Sequence, residues 1–134
     1  VEIYNNDRTT PFPFYDDVEN DSITNVNWIQ GVWKTASIGH SSSTSWEFGL
    51  PNQQYSGSGY SYYYLTLKGS MNLENSYNPE FSFWYSSPTS SNQHKVEASD
   101  DGGVNWSTIS SGYLSGADWS KKQSLCHPTS KAMY

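Results

Sequence analysis

Polar and apolar positions alternate in short runs along this chain, and no window sustains the 3.6-residue period of an amphipathic helix. Residues 80–85 (EFSFWY) show the alternation best. In a strand, Phe81, Phe83 and Tyr85 would point to one side, and Ser82 and Trp84 to the other. Residues 60–67 (YSYYYLTL) predict a second strand, with Tyr63, Leu65 and Leu67 on one face. Residues 45–49 alternate polar and aromatic positions around Trp46 and Phe48, and residues 26–33 alternate loosely around Trp28 and Trp33. In residues 95–99, Val96 and Ala98 are expected inside, with Lys95 and Glu97 outside. Asp101-Gly102-Gly103 predicts a tight hairpin turn, because glycine supplies the positive φ such turns need, and residues 106–109 predict the returning strand. Residues 37–44, 51–59 and 86–92 (around Pro88) read as loops. Six or seven short strands separated by turn signals predict an all-β domain, a sandwich of two antiparallel sheets. No fixed-period repeat points to a propeller or solenoid.

The 134 residues suit one domain. Leu, Ile, Val and Phe fall below the rough 20% level at which disorder is expected. Six Trp and eleven Tyr reverse that inference, since each ring can bury roughly 150–250 Å². The expected core is therefore aromatic, with most Trp inside it. Ten Gly and abundant Ser, Thr and Asn favour strands and turns over helices. A net charge of −6 with only seven Lys and Arg makes nucleic acid an unsuitable partner. No stretch approaches the about 18 apolar residues of a membrane-spanning helix, so no membrane insertion is expected. The single cysteine, Cys126, excludes an intrachain disulfide. The Ser/Thr/Asn/Tyr-rich composition favours a secreted or cell-surface protein.

Several segments, in order, resemble one type of domain. Phe14-Tyr15-Asp16-Asp17-Val18-Glu19 followed by Asn27-Trp28 is similar to the opening of MAM-like jelly-roll modules, which accompany immune-inhibitor-A-type metallopeptidases and other secreted bacterial and archaeal hydrolases. Gly31-Val32-Trp33-Lys34, the stretch from His40 to Trp46, Tyr64-Leu65-Thr66-Leu67 with Met71-Asn72-Leu73, and Pro79-Glu80-Phe81-Ser82-Phe83-Trp84-Tyr85 resemble the next segments of those modules. The stretch from Lys95 to Trp106 resembles their D-x-VEVSxDGGxxW segment. The likeness covers roughly residues 14–119. It implies a jelly-roll-like antiparallel β-sandwich with an accessory role, and no particular ligand. The chain departs from the pattern at its C-terminus, where KKQSLCHPTSKAMY lacks the alternating apolar closing strands. Residues 1–13 therefore read as a linker or edge segment, 14–120 as the sandwich module, and 121–134 as an atypical tail, truncated or non-native.

Four sets of residues carry candidate chemistry. Ser99-x-Asp101-x-Gly103-x-x-Trp106 fits the Asp-box pattern, in which the carboxylate caps turn N–H groups and the indole packs beneath; its expected role is a structural turn. The acidic run Asp16, Asp17, Glu19 and Asp21 offers hard oxygen ligands, with Asp17 and Glu19 the candidate ligands of a structural Ca²⁺. A solvated acidic loop is the alternative. Trp28, Trp33, Trp46, Tyr62, Tyr64 and Trp84 are candidate platform residues for a polysaccharide or glycan, because flat rings stack on the apolar faces of sugars. His40, His94 and His127 show no paired metal-ligand spacing, and no G-x-S-x-G elbow accompanies the serines. Cys126 beside His127 reads as incidental, and Asn20-Asp21-Ser22 and Asn105-Trp106-Ser107 are formal glycosylation sequons. The expectation is a non-catalytic accessory module that binds carbohydrate. The alternatives are a calcium-stabilised structural domain of a secreted protease that packs on its parent-protein domains, or a protein-binding adhesion module.

Overall fold

A computed structural model describes residues 9–10, 13–48, 63–73, 75–126 and 132–133. The described residues are mostly β, with one short helix. In order it forms β1 (Thr9–Thr10), α1 (Asp21–Asn27), β2 (Trp28–Ile29), β3 (Lys34–Ala36), β4 (Ser45–Glu47), β5 (Thr66–Leu67), β6 (Ser70–Asn72), β7 (Glu80–Ala98), β8 (Ser107–Leu125) and β9 (Ala132–Met133). No helix among the described residues is long and apolar enough to cross a membrane. The elements divide into two compact units, one of residues 15–68 and one of residues 1–14 with 69–134.

In the unit of residues 15–68, β2 pairs antiparallel with β5 and β3 with β4. The short strand expected within residues 26–33 is β2, and α1 ends just before it at Asn27. The Asn20 side chain accepts a hydrogen bond from the Ser22 N–H, and the Asn20 carbonyl accepts from Ile23 and Thr24. The sequence DSITNVN is poor in helix formers, so this turn of helix rests on its cap and on tertiary contacts. Thr24 is fully buried, and its hydroxyl donates to Asp16 at 2.9 Å.

In the other unit, β1 and β6 run parallel, β9 pairs antiparallel with β6, and β7 and β8 form a long antiparallel hairpin. The expected loop over residues 86–92 lies inside β7. Pairing slips between Tyr85 and Asn92, and this interruption accommodates Pro88, which has no N–H to give a regular ladder. Residues 121–125, read from the sequence as the start of the tail, continue β8 opposite residues 80–84. Their lack of an apolar alternation follows from their partners: Lys122 and Ser124 stand opposite Phe83 and Phe81, so the aromatic strand supplies the apolar surface for both.

The hairpin doubles back on itself. Phe83 and His94 are eleven residues apart in one strand, about 36 Å if it were straight. Their rings lie 6.0 Å apart, edge to face. The irregularities between residues 85 and 92 provide the bend, since bulges are where strands turn. A second bulge sets Ile109 out of register between the Glu97–Thr108 and Val96–Ser110 pairs. Folding back brings Ala98, at one end of β7, into a buried cluster with Cys126 and Leu73, against which Met71, Phe81 and Ile109 pack. The expected burial of the tryptophans is corrected here: none of the six is buried, and four are only half-buried. Leu73, Ala98, Cys126 and Pro79 are the buried apolar residues among those described, all four in the unit that holds the hairpin.

Candidate functional site

The turn between β7 and β8 forms the Asp-box network in full. Ser99 is buried; its hydroxyl donates to Asp101 Oδ1 at 2.8 Å and accepts from the Gly103 N–H at 2.8 Å. Asp101 Oδ1 also accepts from the N–H groups of Val104 and Asn105, and Oδ2 from the Asn105 amide. These donors, those of Asn105 foremost, hold the Asp101 carboxyl down at a pKa of about 2. Gly102 and Gly103 both have positive φ, and the Trp106 indole lies against Gly103 and donates to its carbonyl at 3.0 Å. The carboxylate is consumed by the chain's own donors, which is a turn-building role.

The acidic run behaves similarly. Glu19 Oε2 accepts from Ser43 at 2.7 Å, and Oε1 from the Thr44 N–H and hydroxyl at 2.6 and 2.8 Å. The Ser43 and Thr44 donors keep the Glu19 carboxyl at a pKa of about 2. Asp17 Oδ1 accepts from the Glu19 N–H. Asp16 accepts from the Val18 N–H, the Thr24 hydroxyl and the Trp28 indole, the last at 2.7 Å. These bonds hold Val18 at a φ of 65°, unusual for a β-branched residue. No three His, Cys, Asp or Glu side chains among the described residues are grouped to hold a metal ion. Asp17, through its carbonyl, and Glu19, through its carboxylate, are parts of a latch joining residues 17–19 to residues 42–44.

The platform candidates separate. Trp28, Trp33, Trp46 and Tyr64 belong to the unit of residues 15–68, Trp84 belongs to the other unit, and Tyr62 lies outside the described residues. Trp28 is half-buried, opposite Leu67. Trp46 is half-buried opposite Thr35, and its buried indole N–H has no acceptor among the described residues. Trp33 packs its ring 5.4 Å from Phe48, which stacks on Tyr63 at 4.6 Å, and the Trp33 indole donates to the Tyr63 carbonyl. Phe48 and Tyr63 were not candidates from the sequence. Tyr64, next in the chain, is 61% exposed.

Trp84 occupies a different setting. On β7 the rings of Phe81, Phe83 and Tyr85 follow one another at 5.7 and 6.3 Å along the half-buried face. Glu80, Ser82 and Trp84 line the opposite, exposed face, with Trp84 45% exposed. Directly paired residues share a face, so Leu125, Gln123 and Lys121 of β8 complete this surface. Gln123 donates to Glu80 at 2.6 Å across the strands. The result is one indole on an exposed two-stranded surface, bordered by a hydroxyl, an amide, an ammonium and a carboxylate. Lys121 and Gln123 were missed because the sequence alone does not reveal which strand pairs with residues 80–85.

On the half-buried side, His94 Nδ1 donates to the Gly112 carbonyl at 2.9 Å, which leaves Nε2 to accept from the Ser110 hydroxyl at 3.1 Å. Burial lowers the His94 pKa, and the positive charge of Lys122 adds to the effect. The ring is a polar tie inside the fold-back of the hairpin.

Compared with known proteins, the chain matches no family model, no curated protein and no solved structure.

Proposed function

We propose that this chain is a non-catalytic, carbohydrate-binding accessory module of a secreted or cell-surface protein, built on a jelly-roll-like sandwich of which the doubled-over β7–β8 hairpin is one part. The observation that carries the reading is the exposed face around Trp84. A sugar ring has apolar C–H faces and a rim of hydroxyls. It is matched by a flat aromatic face set among short polar side chains, and Trp84 among Ser82, Gln123 and Lys121 has that composition. The rigidity of a paired hairpin favours binding, because little order is lost on complex formation. The cluster of Trp33, Phe48 and Tyr63 is less suited, since its rings spend their faces on one another.

Native affinity electrophoresis across soluble polysaccharides tests the reading. Retardation is expected on at least one polymer. Trp84→Ala should weaken it by about tenfold or more, as for truncation of a central aromatic anchor, with an unchanged melting temperature. Retention of full binding by Trp84→Ala would move the site elsewhere, and no retardation on any polymer would refute carbohydrate binding.

A further inference from the structure

We infer that the saccharide recognised at the Trp84 face carries a carboxylate, held by Lys121, on an otherwise uncharged backbone. The inference rests on the carbohydrate-binding reading of the same face and specifies its ligand class. Lys121 pairs directly with Trp84 in the β7–β8 register, and both are exposed. Side chains so paired have Cβ atoms roughly 4.5–5.5 Å apart, so an ammonium at Lys121 lies within reach of a substituent on a ring stacked over Trp84. Among the described residues, three of the other four lysines are committed. Lys34 pairs with Glu47, Lys95 with Glu97, and Lys68 donates to the Asn25 carbonyl. Lys121 forms no ion pair with a described residue. Lys122 lies on the opposite face, opposite Phe83.

Glu80 shares the face, and its carboxylate accepts from Gln123, two residues from Lys121 along β8, so it is already engaged by a neutral donor. One ammonium beside an indole, without an ion pair among the described residues, selects one carboxylate on a stacked ring, as in a uronic acid residue. The formal charge of −6 over the whole chain acts in the other direction on dense polyanions. A heavily sulfated polymer would be repelled by the molecule that a single uronate can approach, and this narrows the class to sparsely charged saccharides.

The probes are polygalacturonate of low charge density (partly methyl-esterified) and the same polymer fully esterified, compared by affinity electrophoresis at low and moderate salt. The intact chain should bind the partly acidic polymer about two- to fivefold more tightly than the full ester, the range for one exposed charge contact. Added salt should erase the difference. Lys121→Gln should remove the preference, so that the variant binds the partly acidic polymer no more tightly than the full ester, and Lys121→Arg should retain it. Circular dichroism and melting temperature establish that the variants fold. Equal binding of both polymers, or a preference that survives Lys121→Gln, overturns the carboxylate inference. If Trp84→Ala still abolishes binding in that case, carbohydrate recognition stands without it. Failure to bind either polymer or any neutral polysaccharide overturns both.

Discussion

Asp101 shows how much one carboxylate can organise. It collects hydrogen bonds from Ser99, Val104 and Asn105, and its pKa falls from the ordinary 3.8 to about 2. A carboxyl whose folded pKa is depressed stabilises the fold above its unfolded pKa, and that contribution is lost as pH falls through the folded pKa. Asp101→Ala should therefore lower the melting temperature by a constant amount at neutral pH. The gap to the parent should narrow as pH drops from about 4 through about 2, as the parent loses the charge. A gap independent of pH over that window would mean that Asp101 acts through packing alone. The Asp-box spacing made this role legible in the sequence, because every contact is local. The bonds of Glu19 to Ser43 and Thr44 span about 25 residues, and no spacing rule announces them.

Among the elements, α1 and the β7–β8 hairpin differ most from their sequence patterns. The helix depends on its cap: Asn20→Ala should cost about 1 kcal/mol, read as a lower midpoint in urea unfolding. An unchanged midpoint would show that burial of Thr24 suffices to hold the turn. The alternation of residues 80–85 predicted a strand, and one is present. Its continuation through Pro88 was not legible, because a proline inside a strand is tolerated only at an irregularity, and irregularities are set by the partner strand. The same holds for residues 121–125, whose polar character suggested a tail until their pairing with the aromatic strand supplied the missing surface.

The molecule as a whole draws little of its order from buried aliphatic side chains. Leu73, Ala98, Cys126 and Pro79 are the buried apolar residues among those described, and polar networks form around Asp16, Glu19, His94 and Asp101. This bears on the calcium-stabilised alternative. Because Ser43 and Thr44 already occupy both Glu19 oxygens, EDTA is expected to leave the melting temperature unchanged. A fall reversed by excess Ca²⁺ would show by linkage that the folded chain binds the ion, and would require the latch around Glu19 to open.

The sequence by itself determined the β-rich class, the strand at residues 80–85, the Asp-box turn and the polar, acidic character of the chain. Each is encoded in neighbours a few residues apart, where backbone periodicity and turn chemistry act directly. Only the tertiary structure decided the helix at residues 21–27, the fold-back of the hairpin, and the placement of Trp84 beside Lys121. Those depend on pairing between segments far apart in the chain. A strand's pattern says which residues share a face, but the register of its partner decides what stands opposite them.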